Sequence, residues 1–213
     1  MNDKNAPVEL IDTPAALELT AIEFESPGRF AVHNPQPVAP DTTPWEPAPF
    51  VLGQHERLER FSQPQEARAH VLALIQQAQR NLCLYTDDLE PWLYHHSSVQ
   101  QACTRFLLSS PRARLRILLR DPTRAVKEGH RLLALSRRLS SNLHIRKLNP
   151  DYANEELAYL IADDRGLFLR PELDQQSGYT LYNDPARVRQ RQTQFDQAWD
   201  TSITDPDLRS FLL

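Results

Sequence analysis

Residues 154–171 read NEELAYLIADDRGLFLRP. The centre, LAYLIA, is a short apolar run of the kind a strand buried on both faces requires. It ends in two adjacent carboxylates, Asp163 and Asp164, followed by Arg165 and Gly166. DDRG between two apolar runs predicts a β-hairpin, with Gly166 taking the positive φ. LFLR is then the second strand and GYTLYN a third. Asp184–Pro185 opens a closing helix, ARVRQRQTQFDQAWDTS.

Working upstream, strands and helices alternate. ERLERF predicts a short strand. Ser62 and Gln65 form a capping box for the helix EARAHVLALIQQAQR, with His70 on its flank. NLCLYT, ARLRILLR and LHIRKL predict strands, and SVQQACTRFLLSS a helix capped by Ser97 and Ser98. DPTRAVKEGHRLLALSRRLSS predicts one long helix with Asp121 as N-cap and Pro122 at its first position. The pattern implies an α/β domain, a layered mixed or mostly parallel sheet flanked by helices, over residues 55–213. Residues 1–54 are set apart. Ten of the 17 prolines precede residue 65, and residues 26–50 form a proline-rich arm that Trp45 and Phe50 pin to a surface. The stretch 15–25, AALELTAIEFE, fits either a helix after Asp12–Thr13–Pro14 or a strand alternating through Ile22 and Phe24.

The 213 residues carry a net charge of −4, which selects no partner class. No run of 18 apolar residues is present, so no transmembrane segment is expected. The N-terminus lacks a signal-peptide pattern, and Cys83 and Cys103 sit in apolar contexts as two buried thiols. Those features fit a reduced cytoplasm. Charge is nonetheless uneven: residues 112–147 net +9, residues 1–66 net −7 and residues 148–213 net −6. Arg124, Lys127, Arg131 and Arg138 fall on one face of the long helix, a cationic stripe for phosphate or another anion. No aromatic side chains interleave with the stripe to stack bases, so nucleic acid is not the favoured occupant.

No glycine-rich phosphate loop, H-E-x-x-H or CxxC pair occurs among these residues. No metal or cofactor is expected. The best cleft-lining stretch is TDDLEPWLYHH, which follows a strand at the sheet edge where α/β ligands bind. It offers Asp87, Asp88, His95 and His96 as candidate catalytic residues. A Pro-containing loop anchored by Trp92 and Tyr94 accounts for the same stretch without chemistry.

The element order over residues 55–213 resembles the phospholipase D-like fold. The residues that carry the resemblance are VLALIQQAQRNLCLYT, RLRILLRD, LHIRKL, LAYLIADD and FDQAW with Phe195 and Trp199. Active members carry H-x-K-x-x-x-x-D followed by Gly-Ser. Asp163 matches the acid. The histidine slot holds Glu156, the lysine slot Ala158, and the Gly-Ser slot Arg170 and Pro171. Taking Asp164 as the acid puts Leu157 and Tyr159 in the first two slots. The resemblance therefore implies one half of that fold, in a single-copy bacterial branch without the nucleophile or the lysine. A carboxylate at 156 would repel a phosphodiester, and Ala158 cannot offset its charge.

Three expectations follow. The first is a non-catalytic binding, regulatory or scaffold domain, homodimeric through the face of the lost motif, with a phosphorylated small molecule or anionic partner. The second is a phosphodiesterase with a relocated site built from His95, His96, Asp87, Asp88, Glu156 and Asp163. The third is a nucleic-acid or anionic-phosphate binder using the basic helix.

Overall fold

The computed structural model describes residues 43–152 and 156–209. The helix-or-strand stretch 15–25 and most of the proline-rich arm lie outside them. Seven strands form one mixed sheet: β1 (Glu59–Phe61), β2 (Asn81–Thr86), β3 (Arg114–Leu119), β4 (Leu143–Lys147), β5 (Ala158–Ala162), β6 (Gly166–Arg170) and β7 (Gly178–Leu181), in the order β1-β7-β6-β5-β2-β3-β4. β2, β3 and β4 are parallel, joined by helical crossovers. β5, β6, β7 and β1 add antiparallel strands on the other side of β2.

The helices are α1 (Pro64–Gln77), α2 (Pro91–Tyr94), α3 (Ser97–Ser109), α4 (Thr123–Lys127), α5 (Arg131–Arg138), α6 (Pro185–Asp200) and α7 (Pro206–Arg209). Side chains alternate across each strand and sort into two cores. Leu82, Leu84, Leu160 and Phe168 face α1, α3 and α5. Cys83, Tyr85, Tyr159, Ile161, Leu167 and Leu169 face α6, which supplies Phe195 and Trp199. Every residue of β5 and β6 is buried, which is why their sequences run apolar instead of alternating. Among the described residues no helix is long and apolar enough to cross a membrane.

Several local expectations are corrected. The long basic helix is two helices. Gly129 at φ 64 ends α4, and His130 caps α5 by accepting from Leu132 N through Nδ1 at 3.2 Å. Asp121 accepts from Thr123 N instead, and Pro122 is the N-cap. α1 starts one residue later than the Ser62 box implies. Gln63 is the N-cap, and Glu66 Oε2 accepts from Ser62 N and Gln63 N at 3.0 and 3.2 Å. His96, not Ser97 or Ser98, caps α3. His70 is buried, with Nδ1 at 2.9 Å from the Tyr182 hydroxyl. The loop after β2 contains the short helix α2, where Leu93 and Tyr94 are buried. In the hairpin, Asp163 takes the positive φ, 53°. Gly166 is required for space: a Cβ there would meet Leu52 Cδ1 at 2.8 Å and Leu74 Cδ2 at 2.9 Å.

Candidate functional site

The C-terminal ends of β2, β3 and β4 form the edge at which an α/β sheet presents ligands. On the α1 face Thr86 pairs with Leu119 of β3, and Ala158 pairs with Arg170. Carrying the β2–β5 register one step further brings Thr86 level with Ala158. Thr86, Ala158 and Arg170 thus stand in one row across the sheet, and Ala158 leaves space beside the arginine.

Arg170 fills that space and is 1% exposed. Its Nη1 donates to Glu90 Oε1, its Nε to Gln175 O at 3.0 Å, and its Nη2 to Leu173 O and Gln175 O at 2.7 and 2.6 Å. The guanidinium also lies 5.1 Å from the Trp92 ring centroid. Glu90 is 5% exposed. Burial pushes its carboxyl up, and the Arg170 charge opposes that shift. Leu89 and Glu90 both hold positive φ, 66° and 35°, so this turn is strained to bring the carboxylate inward. Glu90 Oε2 and Thr86 Oγ1 are buried without a hydrogen-bond partner among the described residues.

The sequence candidates lie around this pair in structural roles. Asp87 is 3.3 Å from Arg120 Nε. Asp88 accepts from Glu90 N at 2.8 Å and pairs with Arg124 Nη1 at 3.0 Å. His95 Nδ1 accepts from Arg131 N, and its ring is 4.8 Å from that of His130. Burial and the neighbouring His95 hold His130 down to about 3. His96 Nδ1 accepts from Ser98 N at 3.2 Å, and its ring stacks on Trp45 at 4.0 Å. Glu156 is exposed and makes no hydrogen bond or ion pair among the described residues. No group of three or more His, Cys, Asp or Glu among those residues is arranged to hold a metal.

Asp163 is at the other end of the sheet. Its backbone N–H donates to Asn81 O at the start of β2, whereas Asp87 follows the end of that strand. Six strand residues separate the two, about 20 Å. The expected convergence of Asp163 with His95, His96 and Asp87 does not occur. The Asp163 carboxylate instead accepts from Gln79 N, Arg80 N and Asn81 N at 2.9, 2.8 and 2.9 Å. It ties the hairpin to the loop before β2. The cationic stripe is likewise dispersed. Arg131 is buried, Arg124 pairs with Asp88 and Glu128, and Lys127 and Arg138 are exposed on different helices.

Glu90 and Arg170 are the pair that sequence reasoning missed. The available signal was an arginine ending an apolar strand, in a slot where the resemblance requires glycine.

Residues 63–211 match the family described as "Domain of unknown function (DUF7931)". No curated protein matches the chain. Among solved structures, the chain is similar to the archaeal chromatin protein TrmBL2, whose structure is described as showing a novel mode of DNA binding. The TM-score is 0.52 at 15% identity, over 70% of this chain and 54% of that one. The chain therefore spans about half the length of TrmBL2. NucT from Helicobacter pylori aligns with a TM-score of 0.51 at 10% identity, over 70% of this chain and 99% of that one. Nuc from Salmonella typhimurium, a phospholipase D family member, aligns at 0.48 and 12% identity, over 68% and 94%. At these identities the likeness is one of fold. The layered α/β architecture is the phospholipase D-like one expected from the sequence.

Proposed function

The chain belongs to the family described as the domain of unknown function DUF7931, and from that premise we propose that it is a non-catalytic domain of phospholipase D-like fold with a binding or scaffold role. The observation that carries this reading is the buried Arg170–Glu90 pair. Arg170 occupies the Gly-Ser slot and lies beside Ala158 in the lysine slot. Its guanidinium is already matched by a carboxylate and two carbonyls, so it has little capacity left for a phosphoryl oxygen. Glu156, in the nucleophile slot, is an anion facing solvent. A phosphodiester brought to this edge would meet a carboxylate where attack on phosphorus needs an imidazole. In this reading two copies pair through the same closed edge.

The test is hydrolysis of bis(p-nitrophenyl) phosphate and of single- and double-stranded DNA by the purified chain, with light scattering on the same sample. The expected result is no turnover above background and the mass of a dimer. Turnover that disappears in His95→Ala or His96→Ala would overturn the non-catalytic reading in favour of a relocated site. A monomer at every concentration would remove the dimer.

A further inference from the structure

At the other end of the sheet, the hairpin between β5 and β6 meets α6 and encloses a cleft of about 750 Å³. Four arginines line it: Arg80 from the loop before β2, Arg116 from β3, Arg165 from the hairpin and Arg189 from α6. Two of them are committed. Arg116 pairs with Asp196 at 2.9 Å and donates to Cys83 Sγ at 3.4 Å. Arg165 donates to Asn183 Oδ1 at 3.1 Å and lies 3.6 Å from Asp164. Arg80 and Arg189 are exposed, and neither guanidinium has a hydrogen-bond or ion-pair partner among the described residues.

The carboxylates lining the cleft do not balance these two charges. Asp163 is taken up by three backbone amides. Asp196 is held by Arg116 and by Gln192 Nε2 at 3.0 Å. Asp164 lies 3.6 Å from Arg165 Nε, and its side chain is 83% exposed. Arg80 and Arg189 thus leave two unmatched guanidiniums on one concave surface, and the planar fork of arginine suits a phosphate.

The walls are held in place before any ligand arrives. The Asp163 carboxylate fixes the backbone that carries Arg80. Asp184 Oδ1 accepts from Arg187 N at 3.0 Å and pins the first turn of α6, one residue before the buried Val188. Preorganisation of this kind lowers the ordering cost of binding. The volume falls in the range of small-molecule sites, roughly 300–1,000 Å³. The remaining wall is mostly polar, with Gln79, Asn81, Gln192 and Thr193 beside the apolar Pro185 and Val188. No aromatic ring lines the cleft to stack a base. A hydroxyl-rich body fits such a wall better than a nucleobase.

We propose that the cleft between the Asp163–Arg165 turn and α6 binds a phosphorylated sugar or polyol, with its phosphate held between Arg80 and Arg189. This site is separate from the closed edge, so its failure and the failure of the non-catalytic reading are read in different assays. The test is titration calorimetry with ribose 5-phosphate, glucose 6-phosphate, inorganic phosphate and a poly-thymidine oligonucleotide. The proteins are the unaltered chain, the double variant Arg80→Ala/Arg189→Ala and, as an exposed control on α3, Arg105→Ala. The expected result is sugar-phosphate binding that weakens with salt. It falls at least about tenfold in the double variant and is unchanged in the control. The proposal is overturned if neither sugar phosphate binds the unaltered chain, or if the double variant binds as tightly. Inorganic phosphate binding as well as the sugar phosphates would overturn it too, as would oligonucleotide binding that sugar phosphates do not displace. Thermal melts of the double variant establish that any loss is not unfolding.

Discussion

The carboxylate of Asp163 accepts from three successive backbone N–H groups, so its removal orphans three donors at once. Charge-assisted bonds of this kind contribute more than neutral ones, and alanine at φ 53° adds backbone strain. Asp163→Ala is expected to cost about 2–4 kcal/mol in urea unfolding. Asp163→Asn keeps one acceptor oxygen and a residue type that tolerates the left-handed region, so it should lose about half as much. An Asp163→Ala protein within about 0.5 kcal/mol of the parent would contradict this account. The sequence separated Asp163 from Asp164 and placed both in a turn. It could not reveal why Asp163 is acidic, because its partners lie 82 to 84 residues away in the chain. Gly166 is a similar case. The glycine was visible, but its reason is the approach of Leu52 and Leu74, which no turn rule contains.

The strands were legible because each is an apolar run bounded by turn residues, a pattern set locally. Four helices were legible in the sequence, but not their ends, nor the division of one of them into α4 and α5, nor the short α2 and α7. Helical periodicity carries through a single glycine, so DPTRAVKEGHRLLALSRRLSS reads as one helix although Gly129 breaks it. That break determines the role of His130. It buries the ring, which is 1% exposed, against His95 and makes its Nδ1 the cap of α5. Folded His130 stays neutral down to about pH 3, while unfolded His130 protonates near its ordinary value of 6.5. Between those limits the unfolded state binds more protons. The stabilisation is therefore present above 6.5 and is lost as pH falls. From pH 6.5 to about pH 5 the loss due to this group is about 2 kcal/mol. His130→Asn retains a side-chain acceptor for the α5 cap and removes the titration. Its stability should fall less steeply over that window, and urea denaturation at several pH values measures the difference. Parallel curves for the two proteins would show that His130 does not titrate on unfolding.

Across the whole molecule, one sheet separates two cores, and the sums of charge by segment conceal where charge acts. The cleft arginines Arg165 and Arg189 belong to a stretch that nets −6, and Arg80 to one that nets zero. Folding gathers them while their neighbouring acids are consumed by amides and ion pairs. The +9 stretch, which drew attention in the sequence, is dispersed over two helices and two strands. The two cysteines report on the two cores separately. Cys83 points to the α6 side and Cys103 to the α1 side of the sheet. Both are buried, and burial raises both thiols, Cys103 to about 12. Neither presents a thiolate to solvent in the folded state, so labelling requires opening. The central strands contribute side chains to both cores, so an opening that exposes one should expose the other. Pulsed thiol labelling across a urea series, read by mass spectrometry of the two cysteine peptides, should give opening free energies equal within about 0.5 kcal/mol. Their urea slopes should match that of global unfolding. If Cys103 labelled several-fold faster with a shallower slope, the α3 side would open alone, and the two cores would be separate cooperative units sharing a sheet.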